Sequence, residues 1–280
     1  MLGLGLGINK ISKITHSVSN PDLILDNISG AKLAFSLHKL YKDYAGNCLK
    51  VRRSSDNATQ DIGFTLSNYV DSSAIALFCS GTDGFIDTWY NQYPGGNNAT
   101  QASTANQPKI CSSGTFINDG ILFNGADSFL VISKYADINI TTSPLAIYAS
   151  HANTTSTAGY VITCNTDNYN TQQYGVRYSS TTSYFYLADS IKVQGAINSG
   201  NNLLFVWKST SASQTKIKND NGELTGTNSS NLSQRNFVVI GARSNNATAT
   251  SFSNFFAGNL KTVIIFNTDV ESELTDLQNY

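Results

Sequence analysis

The sequence predicts a mainly β protein, a sandwich or jelly roll, and three observations carry that expectation. Hydrophobic residues make up 40% of the 280 and charged residues only 13%, about half the usual charged share. Polarity comes instead from Asn, Ser and Thr, as in 153–157 and 219–233, side chains that compete with the backbone for hydrogen bonds and suit turns and wet strand faces. The chain also carries 14 Tyr and 14 Phe with only 4 Pro, the composition of an ordered, β-rich chain. From 115 onward, short runs such as PLAIYAS, GYVITC, QYGVRYS, NLLFVWKS and RNFVVIGA recur between polar turns at near-regular intervals. Regular strands with loop signals between them build sandwiches, and no fixed repeat period points to a propeller or solenoid.

The elements follow in order. Residues 1–22 read as an attachment arm: Leu2, Leu4 and Leu6 alternate with glycine, and Ile8 continues the apolar edge. Such an edge has almost nothing opposite to pack on, so it is expected to dock on another subunit. Residues 23–280 read as the displayed domain, with a helix-containing lead-in over 31–110 and the main strands over 115–280. Within the lead-in, Leu33, Leu37, Leu40, Tyr41 and Tyr44 stand at helical spacing before Gly46, which predicts a helix over 31–45 with His38 and its lysines on the wet side. Short strands are expected at CLKVRR, ALFCSG and GFIDTWYNQ, then a turn at 94–98. A capping box from Thr268 to Glu271, with Val270, Leu274 and Leu277 on one face, predicts a short C-terminal helix.

Several function classes are disfavoured. A formal net charge of −1 gives no electrostatic reason to expect nucleic acid. Residues 1–13 lack a basic region before an apolar run, and no stretch nears the roughly 18 apolar residues of a spanning helix, so no membrane insertion is expected. Cys48, Cys79, Cys111 and Cys164 are widely spaced without a C-x-x-C, and His16, His38 and His151 stand apart, so neither a metal nor a cofactor is expected. Buried free thiols are the reading for the cysteines, with one disulfide the alternative. Gly3, Gly5 and Gly7 precede no phosphate-cradling helix, and no nucleophile elbow accompanies the Ser, His and Asp present. Arg52-Arg53 reads as an edge-strand charge.

The run Ala34-Phe-Ser-Leu-His-Lys-Leu with Tyr41, Tyr44 and Gly46, followed by 51–64 (VRRSSDNATQDIGF), resembles a segment common in phage virion proteins and the beginning of the arabinofuranosidase B catalytic domain. Phe78-Cys-Ser-Gly, Thr88-Trp-Tyr-Asn-Gln, Gly95-Gly-Asn-Asn-Ala-Thr-Gln and Asn106-Gln-Pro continue that similarity. Leu122-Phe-Asn-Gly-Ala-Asp and the final strand and helix resemble a concanavalin A-like or laminin G-like jelly roll. The resemblance implies a jelly-roll sandwich with one helix in the N-terminal half, a short C-terminal helix and an extended N-terminal arm.

Its chemistry carries over less completely. A retaining glycosidase needs two carboxylates facing across roughly 5 Å, and the nucleophile the resemblance implies is a glutamate within the sandwich. Here no glutamate precedes Glu223, and Glu271 and Glu273 belong to the terminal helix. The family's Tyr-Asp-Gln is Tyr90-Asn91-Gln92, its adjacent cysteine pair is absent, and Gly84 stands where the partner of Cys79 is expected. Asp87, Asp127, Asp167 and Asp189 remain and could form a dyad, but are read chiefly as turn caps.

The expectation is therefore a non-enzymatic phage virion protein with no catalytic residues: a head fibre, capsid decoration or tail-associated adhesin, made in the host cytoplasm and displayed on the particle. Other virion proteins would bind through the arm, the chain would form a homo-oligomer, and a host surface glycan is the candidate ligand. Trp89, Tyr90, Asn91 and Gln92 beside Asn97 and Asn98, and Tyr169, Tyr174 and Tyr178, supply the rings and amides that sugar sites use; the competing reading makes them core and strand-face residues. The alternative function is an arabinofuranosidase-like glycoside hydrolase acting on host polysaccharide.

Overall fold

The computed structural model describes residues 22–133, 145–152, 159–165, 174–179, 182–187, 190–196, 202–208, 214–219, 222–227, 237–246 and 248–278. The proposed arm, with Leu2, Leu4, Leu6 and Ile8, lies outside them.

The fold is mainly β, a jelly-roll sandwich, as the sequence predicts. After a one-turn helix α1 (Ile24–Asn27), the first half lays down β1 (Ala31–Ser36), β2 (Leu49–Arg53), β3 (Thr59–Ile62), helix α2 (Ser72–Phe78) and β4 (Gly84–Trp89). Then come β5 (Ala99–Thr100), β6 (Lys109–Ser112), β7 (Thr115–Phe116), β8 (Ile121–Asn124) and β9 (Leu130–Ser133). The longer strands follow: β10 (Leu145–Ala152), β11 (Gly159–Asn165), β12 (Tyr174–Ser179), β13 (Thr182–Leu187), β14 (Ser190–Ala196), β15 (Asn202–Lys208), β16 (Gln214–Asn219), β17 (Gly222–Thr227) and β18 (Phe237–Ile240). A small hairpin of β19 (Arg243–Ser244) and β20 (Phe252–Ser253) precedes β21 (Ala257–Phe266) and helix α3 (Leu274–Gln278).

Antiparallel pairing runs β1–β21–β10–β15–β16–β17 in one layer and β9–β18–β11–β12–β13–β14 in the other. Between them lies one apolar cluster that takes in Leu33, Phe35, Trp89, Phe123, Ile147, Val161, Ile240 and Ile265. A second cluster sits on the opposite face of the first layer. There Ala34, Ala146, Tyr148, Ile264 and Phe266 meet Leu25 and Ile28 from the α1 end and Val270 and Leu277 from the α3 end.

That second cluster corrects the expected helix over 31–45. The segment 31–36 is a strand, and Gly46 ends nothing helical. With one face of β1 against the main core and the other under the terminal turns, every residue from Leu33 to Ser36 is buried. A strand covered on both faces loses its alternating pattern, so leucine spacing in this stretch imitates a helix. Beyond it, Leu37 and Leu40 are buried in irregular chain, and His38 is half-buried with its ring edge-on to Tyr69 at 4.6 Å.

The longer helix of the N-terminal half is α2, which runs into the ALFCSG stretch where a strand is expected. Asp71 caps it, its carboxylate accepting from the Ala74 amide at 2.9 Å, and Ile75 is the residue it buries. At the other end Val270 and Leu277 are buried as expected, Leu277 on the helix and Val270 in the chain ahead of it. The capping box does not form: the helix starts later, at Leu274, and Asp269 accepts from the Glu271 amide at 3.0 Å in the preceding turn. All four cysteines are buried free thiols. Among the described residues no helix is long and apolar enough to cross a membrane.

Candidate functional site

The predicted sugar-facing stretch is mostly structural. Trp89 is fully buried, 5.7 Å from the Phe35 ring. Asn91 is buried, and its Oδ1 accepts from the amides of Ala34 at 2.9 Å and Tyr93 at 3.0 Å while its Nδ2 donates to the Asn97 carbonyl at 3.2 Å. Gln92 is also buried. Its Oε1 accepts from the Leu40 amide at 2.7 Å, and its Nε2 donates to the carbonyls of Ser36 at 3.1 Å and His38 at 2.8 Å. Asn98 Oδ1 accepts from the Asn91 amide at 3.0 Å, and the exposed Asn97 donates to the Ser133 carbonyl at 2.7 Å. These amides satisfy backbone groups that would otherwise be buried and unpaired, so they are fastenings of the corner and not its binding face. Tyr174 and Tyr178 lie on β12; Tyr169 lies outside the described residues.

Tyr90 is the member of that stretch that turns outward, and it leads to a different surface. Strand alternation sends Leu49, Val51, Ile62 and Ile86 into the core, leaving Lys50, Arg52, Asp61 and Phe85 on the outer face of β3–β2–β4. Register places Lys50 between Asp61 and Thr88. At about 4.8 Å per strand the backbones of Asp61 and Thr88 stand about 10 Å apart. The Tyr90 hydroxyl donates to Asp61 at 2.6 Å. Burial, then that bond, then the charges of Asp61 and Asp87 push the phenol well above its ordinary pKa, so it stays a donor at any physiological pH.

Asp87 sits at a bulge where the β2–β4 register shifts. It accepts from the Thr88 hydroxyl at 2.8 Å. Arg52 is close enough for the two charges to act on each other. The Arg52 guanidinium is held by Gln107 at 2.6 Å and Asn57 at 2.9 Å and lies 5.0 Å over the Phe85 ring. It is an anchored side chain of the sheet face, not a free edge charge.

Two residues past Asp61 the chain opens into a cleft of about 400 Å³ lined by Tyr44, Asn47, Gly63, Phe64, Thr65 and Asn68 among others, within the size range of small-ligand sites. Its aromatic wall is the Tyr44–Phe64 edge-to-face pair, 6.2 Å between centroids. Tyr44 donates to the Asn47 carbonyl at 2.8 Å, its hydroxyl pKa pushed up to about 12 by burial, and it feels the Tyr90 hydroxyl electrostatically. Tyr44, Phe64, Asn47 and Asn68 thus line one open cleft, with the Asp61–Tyr90 pair on the neighbouring sheet face. That is chemistry for gripping a sugar: rings for its apolar face, a carboxylate and amides for its hydroxyls.

Most other described carboxylates hold the fold. Asp56 pairs with Arg53 at 2.7 Å, Asp83 with Lys109 at 2.7 Å and Asp22 with Lys42 at 2.6 Å. Asp71 caps α2, and Asp127 accepts from Asn124 Nδ2 at 2.7 Å in a turn, as the turn-cap reading expects. Glu223 is exposed on β17 opposite Lys218. Asp167 and Asp189 lie outside the described residues. No group of three or more His, Cys, Asp or Glu that could hold a metal occurs among the described residues.

The family model for the catalytic region of α-L-arabinofuranosidase B matches residues 31–132, well under half of the chain. A solved GH54 α-L-arabinofuranosidase soaked with a cyclic sulfate inhibitor is similar in fold, with a TM-score of 0.69 at 16% identity over 89% of this chain. An arabinofuranosidase complexed with arabinofuranosyl-α-1,2-xylobiose gives a TM-score of 0.69 at 17% identity, again over 89% of this chain. The chain spans 62% of the length of those structures. No curated protein matches the sequence.

The family match overturns the expectation of a non-enzymatic phage particle protein, since the matching model is that of a catalytic domain. The sequence has no glutamate before Glu223. That excludes one residue from one role, while aspartate serves equally well in either role of a glycosidase pair.

Proposed function

We propose that the chain is an arabinofuranosidase-like glycoside hydrolase that releases α-L-arabinofuranosyl units from a polysaccharide. The observation that carries this reading is the family-model match over residues 31–132, the stretch that builds β1–β4, the Asp61–Tyr90 pair and the cleft beside it. Hydrolysis needs one carboxyl group to protonate the leaving oxygen and a second to act as nucleophile or to activate water. Asp61, which accepts from the Tyr90 hydroxyl, suits the second role or the binding of sugar hydroxyls. Asp87, which accepts from the Thr88 hydroxyl beside Arg52, is the second carboxylate of this face. The proton donor is then to be sought among Asp87, Asp167 and Asp189.

The test is hydrolysis of 4-nitrophenyl α-L-arabinofuranoside and of an arabinose-substituted polysaccharide, with single Asp→Asn variants at 61, 87, 167 and 189. The reading expects turnover by the full chain and its loss, by at least a hundredfold, in one or more variants that still melt normally. No turnover of either substrate by the folded chain would sink it. Turnover that survives all four variants would remove the assignment of these carboxylates.

A further inference from the structure

We propose that Cys79 and Cys111 are a latent disulfide, a covalent staple between the end of α2 and β6 that forms when the chain meets an oxidant. Cys79 is the C-cap of α2, and Cys111 lies on β6 directly across the ladder from Gly84. Gly84 explains how the two thiols meet. A Cβ placed on Gly84 would fall 2.6 Å from Cys79 Sγ and 2.9 Å from Cys111 Cβ. The glycine therefore leaves open the space that both cysteines share, and the two thiols lie within hydrogen-bond reach of each other. The sequence resemblance puts the partner of Cys79 at position 84. In three dimensions that place is taken by Cys111, reached from the neighbouring strand.

The site is also placed for slow, selective chemistry. Both side chains are fully buried, yet each is next to an exposed serine, Ser80 and Ser112, at the outer ends of their elements. Burial first, then the neighbouring Cys111, raises the Cys79 thiol to about 12, and burial raises Cys111 as well. Thiolate is the attacking form, so the pair resists casual oxidation near neutral pH. The reaction is an exchange with a low-molecular-weight disulfide such as glutathione disulfide. One cysteine loses its proton and attacks, releasing one glutathione and leaving a mixed disulfide. The second loses its proton and displaces the other glutathione. Two S–H bonds and the glutathione S–S bond are broken; the protein S–S bond and two glutathione thiols form. Cys48, whose thiol donates to the Ser36 carbonyl at 3.4 Å, and Cys164 on β11 are expected to stay reduced.

The experiment incubates the native chain with excess glutathione disulfide at mildly alkaline pH and counts thiols after denaturation, with peptide mapping. Four free thiols should fall to two, with the peptides of Cys79 and Cys111 joined. The closed loop runs from 79 to 111, so by chain entropy the oxidised chain should melt about 6 °C higher, and dithiothreitol should reverse the shift. The rate should climb about tenfold per pH unit in the neutral range. Cys111→Ser should keep its remaining three thiols and show no oxidised gain in melting temperature. Four thiols surviving the oxidant, a stable glutathione adduct, or a link through Cys48 or Cys164 would each overturn the proposal. If Cys111→Ser fails to fold, the mapping of the unmodified chain decides alone.

Discussion

Replacing Gln92 with leucine keeps side-chain volume and removes three hydrogen bonds at once. Gln92 lies 52 to 56 residues from the groups it holds, so it ties the irregular segment after β1 to the segment after β4. Without it the Leu40 amide is left buried and unpaired, at about 1–3 kcal/mol. The His38 carbonyl also loses its bond, while the Ser36 carbonyl keeps a weak one from Cys48 Sγ at 3.4 Å. The segment is held besides by backbone bonds from Val70 to Leu37 and from Lys39 to Asn68, so the loss stays local. Together the expected destabilisation is about 3–5 kcal/mol, a large part of a typical domain's stability. Urea unfolding followed by intrinsic fluorescence would read it as a lower midpoint at unchanged slope. If Gln92→Leu instead stays within about 1 kcal/mol of the parent and loses sugar binding or hydrolysis, the residue faces ligand and the account of this corner is wrong.

Other expectations follow from the same packing. Trp89→Ala should lower stability by about 3–5 kcal/mol, read by the same unfolding curves. Gly159→Ala should destabilise by about 1–3 kcal/mol, because a Cβ there would fall 2.4 Å from the Phe255 carbonyl oxygen and 2.5 Å from Phe256 Cα; equal melting temperatures would refute this. His151 is buried and its pKa is lowered to about 3 by burial. The unfolded chain therefore binds the proton first, and stability present above pH 6.5 should drain away as pH falls towards 3, by about 2 kcal/mol at pH 5. His151→Gln should flatten that part of the stability profile. Asp56 is held down to about 2 chiefly by Arg53, so its carboxyl resonance should titrate near there in the parent and return towards ordinary values in Arg53→Ala.

The β class was legible in composition and in the spacing of the later strands, because turn chemistry and aromatic content are local properties. The terminal apolar pair Val270 and Leu277 was legible for the same reason. What failed was set by distant partners. The strand at 31–36 reads as a helix because α1 and α3, at opposite ends of the described chain, cover its second face. Asn91 and Gln92 have the right chemistry for sugar hydroxyls, and only the positions of Ala34, Leu40 and Ser36 show that backbone occupies it. Asp61 carried no signal in sequence; it matters because β2 sets it across Lys50 from Thr88 and brings it under Tyr90. The segment 31–132, which matches a catalytic-domain model, carries no glutamate, so a count of glutamates alone points away from that family.

The last strand named in the chain, β21, lies between β1 and β10 and also pairs with β8. During synthesis, then, β1 waits for more than 200 further residues before its neighbour β21 exists. Until then β1 and β10 present open edges with apolar residues on both sides, the state most exposed to mispairing and aggregation. Closure of this layer is a late, long-range event, and the fold should form slowly for its size. A ribosome that stalls before residue 257 releases a chain with every other named strand and no centre to its first layer.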